Sequence, residues 1–483
     1  MAHGHVELKD EKLQLGPGAR TVFLGAAAVG VLGVLASLGL SLASELGIRR
    51  FYFAYLTAFA FFMSFAIGGL FFVLLQYCVR AGWSVNVRRV PEAFARTLPL
   101  FLVLSLPLLW TIVQNDGGLY RWAQPIDPKV NAHEDHHHGE PFLLPPGAPA
   151  VGWAPYVHPA YRTSLADVPP GPNTYAFGNP FPVDEAGKPI APDTYLVGPK
   201  KSSPLLLSSW AVIARVVLFL GVLSAIAYWY TSASRRQDAS GDIRITETLS
   251  IRSAPMLVVF GIAVTSLAFD LLMSLDPTWY STIFGGYYFA GSAICVMAGT
   301  ILTLKLLQAK GYLKGSVTTE HYHDLGKFQF AFTFFWGYVA FSQFMLLWYA
   351  SLPETAHWLA RRGASTAAVH QEAFGAWTPV VLALLLGKLL IPFAGLLSRH
   401  VKRNGFGLTF WAAWILVFHA VDIFWLVGPE LNGKLNFGLP EIAAFVGIGG
   451  LFVGTVVYQL SGALLRPVKD PRAAESLAFH QSF

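Results

Sequence analysis

Charged residues are scarce in this 483-residue chain, at 13% of the total, whereas hydrophobic residues make up 54%. A water-soluble domain carries about a quarter charged residues, and the mean hydropathy here is +0.49. The shortage of charge therefore excludes a soluble globular protein and predicts a surface that faces lipid.

Cysteine is almost absent as well. Cys78 and Cys295 lie far apart in apolar runs, and no C-x-x-C spacing occurs. This excludes a disulfide framework, covalently attached c-type haem and a cysteine-ligated iron–sulfur cluster. Any such redox group has to lie on a partner.

The beginning of the chain lacks the short basic segment of a cleaved signal peptide, so we expect the first apolar run to remain as an anchor. The repeated ten-residue alternation of an outer-membrane barrel is also missing. The pI of about 9.1 is typical of Lys and Arg in cytoplasmic loops and requires no nucleic acid as a partner.

Ten apolar runs are long enough to cross the hydrocarbon core, which takes roughly 20 residues. Helices are expected because they satisfy their own backbone hydrogen bonds in lipid. We therefore predict an all-α polytopic membrane protein, with two four-helix bundles (second to fifth and sixth to ninth spans) and two peripheral helices. The predicted spans are residues 20–43, 51–78, 94–114, 205–231, 253–275, 279–307, 328–351, 374–397, 407–427 and 440–463.

Lysine and arginine are distributed unequally over the segments between these spans. The side of both termini is rich in them, whereas the short loops of the other side contain only Arg49, Arg50, Arg361, Arg362 and Lys434. By the positive-inside rule we expect both termini to be cytoplasmic, in a bacterial inner membrane. The chain then divides into a cytoplasmic N-terminal segment (1–19), helices 1–3 (20–114), a periplasmic loop (115–203), helices 4–10 (204–465) and a cytoplasmic tail (466–483).

The loop over residues 115–203 is dense in Pro and Gly and too long for an ordinary connection. Its aromatic residues favour a flap docked on another surface, and an irregular cap over its own helices is the alternative. It also contains His133, His136, His137 and His138. Their loose spacing is weak evidence for a metal site, and a solvated surface is the favoured interpretation, so no metal is predicted.

Few ionisable residues lie inside the spans, where each costs at least about 2.5 kcal/mol and is a functional hypothesis by default. Asp270 and Asp422 are predicted about 8–9 Å below the periplasmic span ends, His419 about 12 Å and Arg215 about 10–16 Å. Lys388 is predicted about 20 Å deep. The pattern predicts a polar pocket open to the periplasm, with one cation below it. Its further polar members are Gln343, Tyr287 and Tyr288.

His419 and Asp422 are three residues apart and therefore share a helix face. A histidine beside a carboxylate can exchange protons, and a structural hydrogen-bonded pair is the alternative. Arg215 with Asp270 could either serve the pocket or compensate each other as a structural ion pair. Lys388 could belong to a proton path or reach a polar partner by snorkelling. Catalytic proton transfer is thus hypothesised for Asp270, His419, Asp422 and Lys388, with Arg215, Gln343 and Tyr288 in a quinone-like pocket.

His321, His323 and Asp324 precede the seventh span on the predicted cytoplasmic side. They are candidates for proton entry, and anchoring at the membrane interface is the alternative. A haem held by two histidines is excluded within the spans, because His419 is the only histidine predicted there.

Three segments of the sequence are distinctive when taken together. They are Phe269-Asp270 with Ser274-Leu275-Asp276-Pro277-Thr278-Trp279-Tyr280, His321-Tyr322-His323-Asp324-Leu325-Gly326-Lys327 with Phe341-Ser342-Gln343 and Leu352-Pro353-Glu354, and His419-Ala420-Val421-Asp422-Ile423-Phe424-Trp425. These segments resemble a known family, the membrane subunits of the NrfD/PsrC type in bacterial alternative complex III, a quinol-oxidising respiratory complex. The resemblance extends over most of the chain from the second to the ninth span.

The start of the second span and the stretch Gly82-Trp83-Ser84-Val85 with Arg88 and Arg89 are more similar to the second of the two such subunits in that complex. The resemblance implies two four-helix bundles and a role in moving protons. It also implies partners: a homologous membrane subunit, an iron–sulfur protein, c-type cytochromes that carry the haem c, lipids and, as a further candidate, a terminal oxidase. Menaquinol is the candidate quinone. A secondary transporter and a purely structural anchor are the alternative functions.

Overall fold

The computed structural model describes residues 11–114, 118–123, 208–277, 279–350, 358–364 and 376–479. Over these ranges the regular structure is helical, apart from one isolated bridge between Lys12 and Tyr312. Ten of the helices are long and apolar enough to cross a membrane. The predictions of an all-α chain and of ten spans are confirmed. Most of the predicted loop, including its four histidines, lies outside the described residues.

The ten long helices are labelled in chain order, and each is given with the bounds of the whole span. They are α1 (Gly18–Leu42), α2 (Gly47–Cys78), α3 (Arg89–Gln114), α4 (Ser209–Ser240), α5 (Ile243–Leu275), α6 (Phe284–Ala309), α7 (Thr319–Tyr349), α8 (Thr378–Leu397), α9 (Gly405–Asn432) and α10 (Leu439–Ser461). Short helices join some of them, at Trp83–Asn86 and Arg399–Arg403, and a further short helix, Ala473–Leu477, follows α10.

Several helices begin or end with polar residues that hydropathy alone misses. Asp242 caps α5 by accepting a hydrogen bond from the Arg244 backbone N–H at 3.0 Å, and Asn404 caps α9 through the Phe406 N–H at 2.9 Å. Between α4 and α5, Gly241 has φ +72°, a left-handed conformation that glycine adopts without strain. These signals explain why α4 and α5 extend beyond their predicted ends at residues 231 and 253.

Helix α1 packs along α10 through glycines. A Cβ atom on Gly33 would lie 2.6 Å from the Cα atom of Gly447, and one on Gly450 would lie 2.7 Å from the backbone N of Gly30. Small residues allow such close backbone approach between membrane helices. The pair also contacts α2, whereas most of the α1 surface remains exposed.

Helices α2 and α6 are the most enclosed of the ten, and they pack against each other. Helix α2 also contacts α3, α5 and α10, and α4 packs against α5 and α3. Helix α6 contacts α7 and α9, and α8 lies against α7 and α9. The interior of the molecule is therefore built around α2 and α6, and polar side chains that reach this region are shielded from lipid.

The segments before α1 and after α10 lie together at one end of the helices, here called the terminal face. The Leu465 backbone N–H donates to the Leu13 carbonyl at 2.8 Å, and Arg466 lies 3.5 Å from Glu11. Arg88 binds Asp470 at 2.7 Å. The described parts of the predicted terminal segments are thus packed on the helical body. The opposite end, which carries residues 118–123, 276–277, 279–283, 358–364 and 428–438, is called the far face.

Candidate functional site

Lys388 lies in a widened turn of α8. Residues Leu385–Leu390 form a π-helix, in which the Ile391 N–H donates to the carbonyl of Leu386 five residues earlier. Pro392, four residues after Lys388, has no N–H to donate, and its ring would clash with the Lys388 carbonyl in a regular α-helix. Single π-turns of this kind occur frequently at functional sites.

The Lys388 ammonium contacts both ionisable side chains of α9. Its Nζ lies 2.5 Å from Asp422 Oδ2 and 3.1 Å from His419 Nδ1. It also lies 4.3 Å from the ring centroid of Trp336 on α7, a position that favours a cation. The side chains of Lys388, His419 and Asp422 are 0%, 1% and 1% exposed. Three residues of the sequence prediction therefore form one enclosed cluster.

Two neighbouring hydroxyl groups extend this cluster to α6 and α2. The Tyr287 hydroxyl donates a hydrogen bond to Asp422 Oδ1. His419 Nε2 lies 2.9 Å from Ser64 Oγ, and Ser64 itself donates to the Phe61 carbonyl at 2.5 Å. The hydrogen-bonded chain Tyr287–Asp422–Lys388–His419–Ser64, here called the lysine chain, thus joins α6, α9, α8 and α2.

The donors and acceptors of the lysine chain determine where its hydrogen atoms lie. An ammonium group has no acceptor, so His419 Nδ1 accepts from Lys388, and Nε2 carries the proton and donates to Ser64. Ser64 can accept this bond because its own proton is directed at the Phe61 carbonyl. The resulting charges, Lys388 positive and Asp422 negative, compensate each other, as a buried pair requires.

The imidazole of His419 fits closely among its neighbours. A Cβ atom added to Gly291 on α6 would lie 2.8 Å from His419 Cε1, so only glycine leaves room for the ring at this position. The Phe61 ring lies on another side, with 5.6 Å between the ring centroids. This packing fixes the ring orientation that both hydrogen bonds need.

Arg215 and Asp270 form a second site, between α4 and α5. Arg215 Nε and Nη2 donate to the two oxygens of Asp270 at 2.9 and 2.7 Å, a bidentate geometry. The side chain of Arg215 is 25% exposed and that of Asp270 is 7% exposed. Among the described contacts, none joins this pair to the lysine chain. The ionisable residues that the sequence predicts in one pocket thus lie in two groups.

The helix ends explain why Lys388 meets Asp422 although the sequence predicts them at different depths. The first helix of α9 ends at Val427, as predicted, and a short helix, Pro429–Asn432, continues the span to Asn432. Helix α8 begins at Thr378, four residues after its predicted start at residue 374. Counted from the observed ends, Asp422 and Lys388 both lie about 15 Å deep at 1.5 Å per residue. Both side chains are therefore near the middle of a hydrocarbon core about 30 Å thick.

The two remaining members of the predicted pocket have other partners. The Tyr288 hydroxyl donates to the Ala60 carbonyl at 2.7 Å, so the neighbouring Tyr287 is the tyrosine that reaches Asp422. Gln343 Oε1 accepts from Ser281 Oγ at 3.2 Å, near the far face. The structure brings neither side chain into contact with the lysine chain among the described residues.

The predicted proton-entry residues lie at the terminal face. The buried His321 ring contacts Thr318 Oγ1 at 2.9 Å and Ser476 Oγ at 3.2 Å, which ties it to the segment after α10. Asp324 forms an ion pair with Lys327, and His323 is 6% exposed. The three side chains thus occupy the first turns of α7, as predicted, and His321 also holds the C-terminal segment.

The sequence analysis missed a buried charge cluster at the far face, because it counted Arg361 and Arg362 as loop charges. Arg361 binds both Asp276 and Glu430, and Arg362 lies 2.9 Å from Glu430. Burial lowers the pKa of Arg362 to about 10, although Glu430 opposes this shift. Trp358 stacks on Trp279, with 3.9 Å between the ring centroids. The only sequence signal for this cluster was the high density of tryptophan near these charged residues.

No group of three or more potential metal ligands occurs in the described part of the chain, and the histidines at 133–138 lie outside it. Comparison with models of known protein families and with curated proteins finds no match to this chain. The functional conclusion therefore depends on the geometry of the lysine chain and of the Arg215–Asp270 pair.

Proposed function

We propose that the chain is an integral membrane subunit of a quinol:electron-acceptor oxidoreductase of the alternative complex III type, in which the lysine chain transfers protons. The acceptor is a cytochrome c or a cupredoxin. The haem c and iron–sulfur groups lie on partner subunits, and a homologous membrane subunit completes the complex. In this proposal the membrane is the bacterial inner membrane, and the terminal face is cytoplasmic.

The contacts among neighbouring helices support the proposed architecture. Helices α2–α5 contact one another in sequence order, as do α6–α9, and α1 lies with α10 at the periphery. Two four-helix bundles with two peripheral helices are consistent with these contacts. The motif residues that carry the family resemblance, Asp270, Gln343, His419 and Asp422, all lie in the helical interior with exposures of 5% or less.

The observation that carries the proposal is the continuous sequence of proton donors and acceptors in the lysine chain. Lys388 lies within hydrogen-bond distance of a carboxylate and of an imidazole nitrogen. A proton can move from the ammonium to Asp422 or to His419 without a large displacement of heavy atoms. Tyr287 and Ser64 extend the exchange to two further helices.

A route from the lysine chain to the terminal face follows one side of α7. Trp336, Gln329 and Tyr322 are spaced by seven residues and share that side. Gln329 is fully buried, and neither its amide oxygen nor its nitrogen has a hydrogen-bond partner among the described residues. Because buried amides are normally satisfied, ordered water is expected there. Such water would connect Lys388 to His321, His323 and Asp324.

The Arg215–Asp270 pair is the proposed contact for the quinol headgroup. The side chain of Arg215 is 25% exposed, so a ligand from the lipid phase can approach it, whereas the lysine chain is enclosed. Arg215 can donate to a quinone carbonyl, and Asp270 can accept a proton. Gln343 is a further hydrogen-bonding candidate. Tyr288 contributes less, because its hydroxyl proton is already directed at Ala60.

The test uses the intact complex carrying His419→Gln or Asp422→Asn. We expect quinol-dependent acceptor reduction to fall at least tenfold, or the number of protons released per electron to fall toward the one that quinol oxidation itself supplies, while the complex stays assembled. The matched control is Arg50→Gln, which breaks a different ion pair, with Glu441 at 2.8 Å, between the first turns of α2 and α10. Unchanged turnover together with unchanged proton release in both site variants would refute the proposal.

A second candidate function is a structural anchor that holds partner subunits. It is favoured because the charges of each ion pair compensate each other within the protein. Both intramembrane pairs described above are neutral as a whole, as in a bundle that uses ion pairs for register. Full turnover after separate neutralisation of Asp270, Lys388 and Asp422 would establish the anchor. A secondary transporter would instead show substrate uptake by the isolated chain in liposomes.

A further inference from the structure

A cavity of about 660 Å³ lies at the terminal face, where the end of α2 meets the start of α5 and the segment after α10. Gln76 contributes to its wall from α2, Arg80 from the turn after α2, Glu247 from α5, and Asp470 and Arg472 from the C-terminal segment. None of these residues belongs to the lysine chain or to the Arg215–Asp270 pair. The cavity is thus separate from the proposed function.

The charges that line the cavity are not all compensated within the protein. Asp470 binds Arg88 at 2.7 Å, and Arg472 binds its neighbour Glu475 at 2.7 Å. Arg80 and Glu247 also line the cavity and are exposed, and neither forms an ion pair within the described ranges. The cavity therefore offers one cation and one anion to a ligand.

The wall of the cavity also contains an unsatisfied amide. Gln76 is 2% exposed, and both its Oε1 and its Nε2 have no hydrogen-bond partner in the described part of the chain. A buried polar group without a partner costs about 1–3 kcal/mol, so such groups normally bind water or a ligand. Its amide can donate to a phosphate or ester oxygen.

Exposed apolar side chains border the same cavity. Val79, Ile243 and Ile251 line it and are 60%, 56% and 69% exposed. They lie on the two helices whose apolar spans begin or end at this face, so they contact the lipid layer. A ligand with a polar head and apolar chains could place the head in the cavity and the chains along these residues. A soluble anion would leave the apolar border unused.

We propose that this cavity binds the headgroup of a phospholipid that carries both a phosphate and a primary ammonium group, from the leaflet at the terminal face. Arg80 binds the phosphate oxygens, as arginine does at lipid and phosphate sites. Glu247 accepts hydrogen bonds from the ammonium group, and Gln76 donates to an oxygen of the phosphate or glycerol ester. The acyl chains lie against Val79 and Ile251.

The backbone at Arg80 allows a clean test. Arg80 has φ +50°, in the left-handed region, which asparagine tolerates better than most residues. Arg80→Asn therefore removes the charge and keeps the local conformation. Glu247→Gln removes the opposite charge. Arg236→Gln changes an exposed arginine of α4 that does not line the cavity and is the matched control.

The measurement is native mass spectrometry of the purified full-length chain after delipidation, titrated with phosphatidylethanolamine, with phosphatidylglycerol and with glycerophosphoethanolamine, which lacks acyl chains. We expect one molecule of phosphatidylethanolamine to bind at least tenfold more tightly than the other two. Arg80→Asn and Glu247→Gln should each weaken the binding of phosphatidylethanolamine about tenfold, and Arg236→Gln should not.

Three outcomes would contradict the proposal. If phosphatidylglycerol bound as tightly as phosphatidylethanolamine, the contact between Glu247 and an ammonium group would be refuted. If glycerophosphoethanolamine bound as tightly, a lipid would not be the ligand. Unchanged binding in both cavity variants would refute the site.

Discussion

The lysine chain and the Arg215–Asp270 pair are both ion pairs inside membrane-spanning helices, but they differ in enclosure. Lys388 and Asp422 are at most 1% exposed, with Tyr287 bound to Asp422, His419 bound to Lys388 and Ser64 bound to His419. Arg215 is 25% exposed and binds Asp270 in a bidentate geometry. In the proposed function this difference separates two roles: the enclosed chain exchanges protons, and the partly exposed pair binds the ligand.

The largest loss of folding stability is expected for Asp422→Leu. The variant leaves the Lys388 ammonium in an enclosed site without a carboxylate, which costs about 3–5 kcal/mol of folding free energy. Replacing both partners, Lys388→Met with Asp422→Leu, should restore most of the stability, because a buried pair replaced by apolar residues is often neutral. The measurement is the free energy of unfolding of each variant in detergent micelles.

If the double variant were as unstable as Asp422→Leu, Lys388 would not be the main counter-charge of Asp422. The comparison of the two sites would then lose its basis. Arg50→Gln with Glu441→Gln, at the pair between α2 and α10, provides the control for a generic loss of an ion pair between two helices.

A smaller loss of folding stability is expected for Arg215→Gln or Asp270→Asn. In Asp270→Asn the remaining Arg215 is 25% exposed and can reach water or the lipid headgroups. In Arg215→Gln the amide that replaces the guanidinium can still donate a hydrogen bond to Asp270. The loss should therefore be roughly 1.5–3 kcal/mol, the contribution of hydrogen bonds to charged groups. In the complex, the same variants should raise the KM for quinol more than they lower kcat. A fall in kcat alone, at constant KM, would contradict the assignment of this pair to ligand binding.

The smallest effect on stability, about 1 kcal/mol for each, is expected for the neighbouring variants Tyr287→Phe and Tyr288→Phe. Each variant removes one buried hydroxyl group. Tyr287→Phe removes the hydrogen bond to Asp422, and Tyr288→Phe removes the hydrogen bond to the Ala60 carbonyl. Only Tyr287→Phe should slow proton release and show a larger solvent deuterium isotope effect on turnover. Equal isotope effects in both variants would remove Tyr287 from the proposed path.

The sequence was sufficient to predict the helical class, the number of spans and the residues that lie inside them, because length and hydropathy report directly on the lipid environment. It also indicated that His419 and Asp422 share a face, since that depends only on helical periodicity. It could not predict that Lys388 joins them. That contact depends on the end of α9 at Asn432 and on the π-turn before Pro392, which hydropathy does not encode.

The separation of Arg215 and Asp270 from the lysine chain could not be predicted either. Depth below a span end places residues in a layer but does not show which helices face each other. The same limit explains the choice of Tyr288 instead of Tyr287, because adjacent residues on α6 point about 100° apart and only the packing against α9 distinguishes them. A lysine four residues before a proline in a span was the available signal for an irregular turn.

The central claim, that the lysine chain transfers protons, is tested most directly by the ratio of protons released to electrons transferred. The measurement compares the wild-type complex with one carrying Lys388→Met and Asp422→Leu, reconstituted in sealed liposomes, because the double variant keeps the site neutral and the complex assembled. We predict that the ratio falls although the haem groups of the partners are still reduced by quinol. An identical ratio in the two complexes would contradict the account.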